Sequence, residues 1–189
     1  LLAARRQQPF DSVEDLHGRT GLQRYELGIL AAAGALAGIA GHRYRARWEV
    51  AGTEPMLPLF PVSGVAEGVP LLRSPTEAED ISGDYASMGL SLGRHPLALL
   101  RDELAAFHVQ PAAVLRGYPH GRLARASGLV THRQRPETAK GTVFVTLEDE
   151  TGAVNVIVWP RVAQAQRTAL LGATLMTVYG TWQREGRDD

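Results

Sequence analysis

The chain has 189 residues, 44% of them hydrophobic, and its 20 basic and 20 acidic side chains cancel. That size buries a real core, in one large or two small domains, and the absence of cysteine excludes a disulfide framework and thiolate zinc sites and fits a reducing cytosol. The most apolar run, Gly28 to Gly41 (GILAAAGALAGIAG), is shorter than the ~20 residues a membrane-spanning helix needs and reads as a buried helix end; with no charged and apolar leader, secretion is not expected.

The zero net charge conceals a segregation. Residues 1–53 carry seven Arg against five acids, and residues 54–110 carry three Arg against eight acids. Residues 111–147 then carry five Arg and Lys140 against one acid, and residues 148–189 carry four Arg against six acids. Such a local positive excess is the electrostatic footprint of a face for a polyanion. With 19 of the 20 basic residues being Arg, it also fits a solvated Arg-rich surface.

In chain order, the sequence opens with Leu inside what reads as a helix, LLAARRQQ, and is expected to be a piece of a longer protein. Residues 1–50 read as helical. Asp11 or Ser12 caps a helix with Glu14 or Asp15 in its first turn. A short turn at Gly21-Leu22 leads into RYELGILAAAGAL, where Tyr25, Leu27, Leu30, Ala31 and Leu36 fall near helical spacing. The pattern fits a close-packed hairpin of helices or a plain helical subdomain. Residues 51–93, with Pro55, Pro58, Pro61, Pro70 and Pro75, read as an irregular linker. Within it, EPMLPLFP presents Leu57, Leu59 and Phe60 as an apolar peptide that docks on its own chain or in a partner's pocket. Residues 94–120 predict one connecting helix from Pro96, with Leu97, Leu100, Leu104 and Phe107 as its buried stripe.

From residue 121 the period changes to strands: RLARASGLVTHRQRP, TVFVTLEDE and AVNVIVWP, then a helix, RVAQAQRTALLG, and a strand, TLMTVYGTWQRE. The order β-β-β-α-β, with Gly128 and Gly180 at tight bends, matches an OB-fold barrel over residues 121–189 whose last strand is missing. The whole chain is thus expected to be α+β. An OB barrel binds oligonucleotides on its second and third strands, framed by the loop between strands one and two. Here that loop, HRQRPETAKG, brings Arg133, Arg135 and Lys140 together, and Gly141 lets it turn. Phe144, Tyr179 and Trp182 stack bases if they face outward, at roughly 1–3 kcal/mol per base; Phe144 and Trp159 equally fit a side-chain-filled barrel interior. Arg133, Arg135, Lys140 and Phe144 are the candidate nucleic-acid contacts.

Glu148, Asp149 and Glu150, just before a Gly at a hairpin tip, are turn chemistry rather than metal ligands. The histidines at 17, 42, 95, 108, 120 and 132 lack metal-binding spacing, and His95 before Pro96 reads as a helix-start residue. No phosphate-binding loop, nucleophile elbow or dinucleotide fingerprint occurs, so no catalytic or metal-ligating residue is assigned.

Together these stretches resemble the C-terminal region of bacterial C-family DNA polymerases, the DnaE-type α subunits, and specifically their error-prone branch, also called ImuC. PFDSVEDLHGRTGL followed by ELGILAAAGAL is similar to that family's helix-hairpin-helix tail, and LSLGRHPLALLR to its GxHPL segment. GLVTHRQRPETAKGTVFVTLEDETGAVNVIVWP and YGTWQREG are similar to its OB domain. The resemblance implies a cytoplasmic DNA-directed DNA polymerase of lesion bypass and induced mutagenesis. Its partners would be single-stranded and primer–template DNA, the sliding clamp and a Y-family-like accessory protein. The catalytic carboxylates and their Mg²⁺ would belong to an upstream palm domain, so this segment is expected to hold no cofactor. The Gly-rich hairpin of the family's first helix-hairpin-helix unit would also lie upstream. MLPLF stands where replicative relatives carry a clamp-binding peptide, with Met56 in place of the usual Gln, which makes Leu57, Leu59 and Phe60 candidates for partner binding. The leading expectation is a non-catalytic DNA-contacting module. A second class is a protein-interaction scaffold that recruits the clamp or accessory mutagenesis proteins. A third, the anticodon-binding barrel of an aminoacyl-tRNA synthetase, fits the helical hairpin and the RHPL segment poorly.

Overall fold

The computed structural model of the chain describes residues 1–53 and 70–184. The partner-binding candidates Leu57, Leu59 and Phe60 lie outside the described residues. The chain divides into two compact units, Leu1–Gly93 and Arg94–Asp189.

The first unit is helical: α1 (Leu2–Gln7), α2 (Val13–Thr20), α3 (Arg24–Ala32), α4 (Ala37–Ala40), α5 (Arg43–Ala51) and α6 (Glu77–Met88). Ser12 caps α2, its hydroxyl accepting from the Asp15 amide at 3.0 Å, and Gly21 closes that helix in the left-handed region. Gln23 and Glu26 form a reciprocal capping box at the start of α3. Val13, Leu16, Leu27, Ala31, Leu36, Ala40, Ala46 and Val50 make the core. Three of these are alanines, which let the helix backbones approach closely. Arg19 pins the preceding turn, its guanidinium donating to the carbonyls of Ala4, Gln8 and Pro9 and lying 4.7 Å from the Phe10 ring centroid.

Residues 77–88 correct the sequence reading of 51–93 as irregular throughout. Prolines stop at Pro75, and Thr76 and Glu79 then form a capping box that starts α6. Helix α6 is fastened by Arg43, a guanidinium only 6% exposed. It pairs with the Asp84 carboxylate, donates to the Asp80 carbonyl at 2.8 Å, and stands 3.6 Å from the Asp80 carboxylate. The Ser91 hydroxyl donates to Asp84 at 2.6 Å, and this bond, with Arg43, holds the Asp84 carboxyl below the usual range. The guanidinium fits because Gly83 and Gly34 flank it: a Cβ at either position would run into it.

The second unit begins with short helices α7 (Pro96–Leu99), α8 (Arg101–Ala106) and α9 (Ala112–Leu115). A single helix with a four-residue apolar stripe was expected here. Leu100, at φ −100° and ψ 3°, instead breaks the run, and His108 takes φ 57°. Leu97 is fully buried, whereas Phe107 is 68% exposed. Next come β1 (Leu123–Gln134), β2 (Val143–Asp149), β3 (Gly152–Val158), α10 (Pro160–Ala165), α11 (Arg167–Gly172) and β4 (Leu175–Thr181). They follow the predicted order, although the single helix expected between the third and fourth strands is two short ones.

The strands form one curled antiparallel sheet in the order β3-β2-β1-β4. Strand β1 pairs with β4 over Leu123–Leu129 and with β2 over Leu129–Gln134, with a bulge between Val130 and His132. Gly128 sits at the crossover, where a Cβ would lie 2.7 Å from the Glu148 amide nitrogen and the Leu147 Cβ. Gly180, by contrast, has open space around it. Val143, Val145, Leu147 and Val158 point inward onto Leu170 of α11. Towards the other end of the β2–β3 ladder, Ala126 and Val154 pack on Ala112 and Leu115 of α9.

The tip between β2 and β3 is a two-residue turn, Glu150-Thr151. Asp149, 5% exposed, accepts on one oxygen from the Thr151 amide, the Thr151 hydroxyl and the Gly152 amide at 2.7–3.1 Å. Its other oxygen accepts from the Ala112 amide at 2.8 Å and from Arg101 at 3.3 Å. The Thr151 hydroxyl accepts from the Ala113 amide at 3.0 Å, so the hairpin tip caps the start of α9 from a distance in sequence. Arg101 also grips both oxygens of Glu150 at 2.7 Å. Burial pushes the Asp149 carboxyl upward, but the bonds from Thr151 and Ala112 and the charge of Arg101 outweigh it and hold it below the ordinary value.

Three stability measurements follow from this geometry. Gly83→Ala displaces Arg43 from Asp84 and is expected to cost roughly 3 kcal/mol in chemical denaturation. Gly28→Ala, inside α3 with open space around it, should instead raise stability by roughly 0.5–1 kcal/mol. For Asp149, a depressed native pKa contributes stability that is present above the unfolded value near 3.9 and is lost as pH falls through the lower native value. The gap in denaturant midpoint between wild type and Asp149→Asn should therefore be full at pH 6 and narrow below about pH 4.

Candidate nucleic-acid interface

The alternation along β2 sorts the candidate residues. Val143, Val145, Leu147 and Asp149 are buried, and Phe144 and Glu148 are exposed. Arg133 is paired with Val145, whereas Gln134 is paired with Phe144. Arg133 therefore stands on the inward side of the sheet and Phe144 on the outward side. Phe144 is directly opposite Ile157, and Trp159 lies two residues further along the same chain direction. These three are 39%, 44% and 59% exposed and form an apolar and aromatic stripe on the outer face. His132, Thr146 and Asn155 make the next row, with the Thr146 hydroxyl donating to Asn155 at 3.0 Å.

The β1–β2 loop leaves the sheet through Arg135 and Pro136, turns through a 3-10 segment at Glu137–Ala139, and returns through Lys140 and Gly141, both at positive φ. It frames a groove of about 480 Å³ between itself and α10–α11. Arg133, Arg135 and Lys140 all line this groove, as does Arg167 of α11, and no carboxylate is among the lining residues. Arg133 donates to the Ala173 carbonyl at 2.6 Å, and its Nε is buried with no hydrogen-bond partner among the described residues. The structure thus gathers the three predicted cations at one place but leaves Phe144 on the opposite side of β2.

The remaining aromatics have separate settings. Tyr179 is 63% exposed on β4, with the Arg125 guanidinium 5.3 Å from its ring centroid. Trp182 is half-buried against the cluster that holds Ala112 and Leu115. Trp159 precedes Pro160 at the start of α10, on the surface rather than in the interior. The acidic trio is divided: Asp149 and Glu150 hold the turn, and Glu148 faces out. Among the described residues no group of three or more His, Asp or Glu side chains is placed to hold a metal ion, and no helix is long and apolar enough to cross a membrane.

Arg167, Ile157 and Trp159 join the surface without having been singled out as contacts from the sequence. For Ile157 and Trp159 a signal existed: with Val154, Val156 and Val158 turned inward, the residues between them must turn outward. For Arg167 there was none, because only the folded chain brings α11 beside the β1–β2 loop.

No known family's profile matches the chain. It is 56% identical over 185 residues to an error-prone DNA polymerase of Methylococcus capsulatus, covering 98% of this chain and 18% of that protein. It is 50% identical over 186 residues to the error-prone DNA polymerase of Alkalilimnicola ehrlichii, with the same coverage, and 52% identical over 181 residues to that of Bordetella parapertussis. The chain spans about a fifth of the length of these relatives. The identity runs through both units, so the whole chain is homologous to a part of these error-prone DNA polymerases.

Proposed function

We propose that the second unit is the single-strand-binding part of an error-prone DNA polymerase that acts in translesion synthesis and DNA repair, with the chemistry carried elsewhere in the enzyme. The observation that carries this reading is the neighbourhood of two features at one end of the sheet. One is the outward stripe Phe144, Ile157 and Trp159; the other is the acid-free groove of Arg133, Arg135, Lys140 and Arg167. Bases stack on an exposed aromatic whatever their identity, and phosphates are drawn to clustered cations, which together give sequence-tolerant, salt-sensitive binding.

The curled four-stranded sheet is read, on this proposal, as an OB-fold lacking its last strand, and the helices of the first unit as helix-hairpin-helix elements that lean on duplex backbone. The parent enzyme would work in the cytoplasm with Mg²⁺ in its palm. The LPLF peptide, through Leu57, Leu59 and Phe60, would contact the sliding clamp, and a Y-family-like protein would assist.

Fluorescence anisotropy with a labelled single strand tests this. Binding is expected at low salt, with log affinity falling linearly against log salt at a slope of about −0.7 per phosphate contacted. Trp159→Ala and Phe144→Ala should each cost roughly 1–3 kcal/mol of binding. No binding at low salt, or a flat salt response, overturns the reading. The charge reversal Arg135→Glu with Lys140→Glu separates it from a scaffold role: lost DNA binding supports the proposal, and intact DNA binding with lost partner recruitment supports the scaffold. Both side chains are exposed, so the change leaves the core alone.

A further inference from the structure

The groove between the β1–β2 loop and α10–α11 has properties that a surface for a continuous strand does not need. Its lining includes Val143 and Leu170, which are also members of the buried core, so its floor rests on that core. Four cations converge there, Arg133, Arg135, Lys140 and Arg167, and no carboxylate among the lining residues offsets them. Arg133 stands on the inward side of the sheet, where one of its terminal nitrogens is committed to the Ala173 carbonyl while its Nε is buried and unpartnered. The guanidinium is therefore oriented by the backbone and keeps unused donor capacity. At about 480 Å³ the groove is in the size range of small-ligand sites, and Pro160 and Leu171 supply an apolar wall beside the charge.

We propose that this groove is a pocket for a phosphate monoester, either the phosphate that ends a nucleic-acid strand or that of a free nucleotide. An internal phosphodiester carries one negative charge, whereas a monoester carries nearly two at neutral pH because its second pKa is about 6. A concentration of uncompensated cations discriminates in favour of the doubly charged group. The pocket also adjoins the outer face: Val143 lines it from one side of β2, and Phe144, the next residue, stands on the other. A strand whose end is held here starts beside the stripe on which its following bases would stack. The proposal rests on the single-strand reading of this end of the sheet and names the phosphate that the same groove prefers; loss of the end preference alone leaves that reading standing.

The test uses the full chain and 3′-labelled oligothymidylates that differ only in a 5′-phosphate or a 5′-hydroxyl, with a 5′-labelled pair ending in a 3′-phosphate or a 3′-hydroxyl as a third arm. A terminal phosphate at one of the two ends is expected to tighten binding about tenfold at pH 7.5, the equivalent of one charge-assisted hydrogen bond. The advantage should shrink towards pH 5 as the monoester takes up its second proton. Arg167→Gln should weaken the phosphate-ended strand more than the hydroxyl-ended one, so that the advantage is lost, and Arg167→Lys should restore part of it. Thymidine monophosphate and inorganic pyrophosphate, followed by the shift in thermal unfolding they produce, probe the free-nucleotide source. Stabilisation by either that is lost in Arg167→Gln supports the pocket even if no strand binds. Equal affinity for phosphate-ended and hydroxyl-ended strands, with no stabilisation by the free ligands, overturns the proposal. So does an Arg167→Gln chain, unchanged in circular dichroism, that weakens both strands equally; the groove then holds an internal phosphodiester.

Discussion

A single strand with two different partners governs the second unit. Strand β1 gives its first half to β4 on one edge and its second half to β2 on the other, and the sheet curls where the two pairings meet. The bend is possible because Gly128 has no side chain where the β2 backbone crosses, and the bulge near Thr131 adds local twist. Once β1 is coiled in this way, one face of the sheet closes over valine, leucine and methionine side chains and the other is left to solvent. The direction of every side chain in the candidate interface then follows from the pleat. Arg133 goes in at the mouth, and Phe144, Ile157 and Trp159 go out.

The ends of the β2–β3 ladder are handled by opposite electrostatic means. At the turn, acidic groups are consumed internally: Asp149 serves amides from two segments of backbone, and Glu150 is gripped on both oxygens by Arg101. A carboxylate that accepts several hydrogen bonds while buried is satisfied rather than reactive, which fits its depressed pKa. At the far end the cations meet no such compensation within the groove. The positive excess of residues 111–147 therefore survives folding beside a run of acids that would neutralise it if charge were judged from sequence proximity alone. The first unit uses the internal solution again, with Arg43 spent between Asp80 and Asp84 and unavailable to any partner.

Legibility in the sequence tracked how local each cause was. The strands of the second unit announced themselves because period-two alternation is a property of neighbouring residues, and the turn at Gly21 because glycine meets a local backbone demand; Gly128 was readable as a bend, but its reason is the close approach of β2. The cation cluster of Arg133, Arg135 and Lys140 was visible since a single loop carries all three. Helix α6 was missed because the prolines up to Pro75 dominated a stretch whose Thr76–Glu79 capping box sits just beyond them. The continuous helix expected from Pro96 broke at Leu100, where tertiary packing of Leu97 under the sheet outweighed the apolar spacing that ran on to Phe107. Arg167 and the role of Asp149 in capping α9 depend on pairs of residues brought together only by the curled sheet and the helices packed on it, and nothing in either residue's neighbourhood signals them.

That distinction bears on how the two sides of β2 divide recognition. Stacking on Phe144, Ile157 and Trp159 is weakly dependent on salt and on base identity, since every base has a π face. Contact with the groove depends strongly on salt and on phosphate charge state. The two kinds of contact lie on opposite sides of β2, whose pleat turns Val143 to the groove and Phe144 to the outer face. For Arg133 the spacing to the stripe is set by the β1–β2 ladder, in which Arg133 pairs with Val145 and Gln134 with Phe144, rather than by a flexible loop. On the proposed reading, the inward anchoring of Arg133 on the Ala173 carbonyl, together with that ladder, would hold one cation in a constant register with the bases stacked on Phe144.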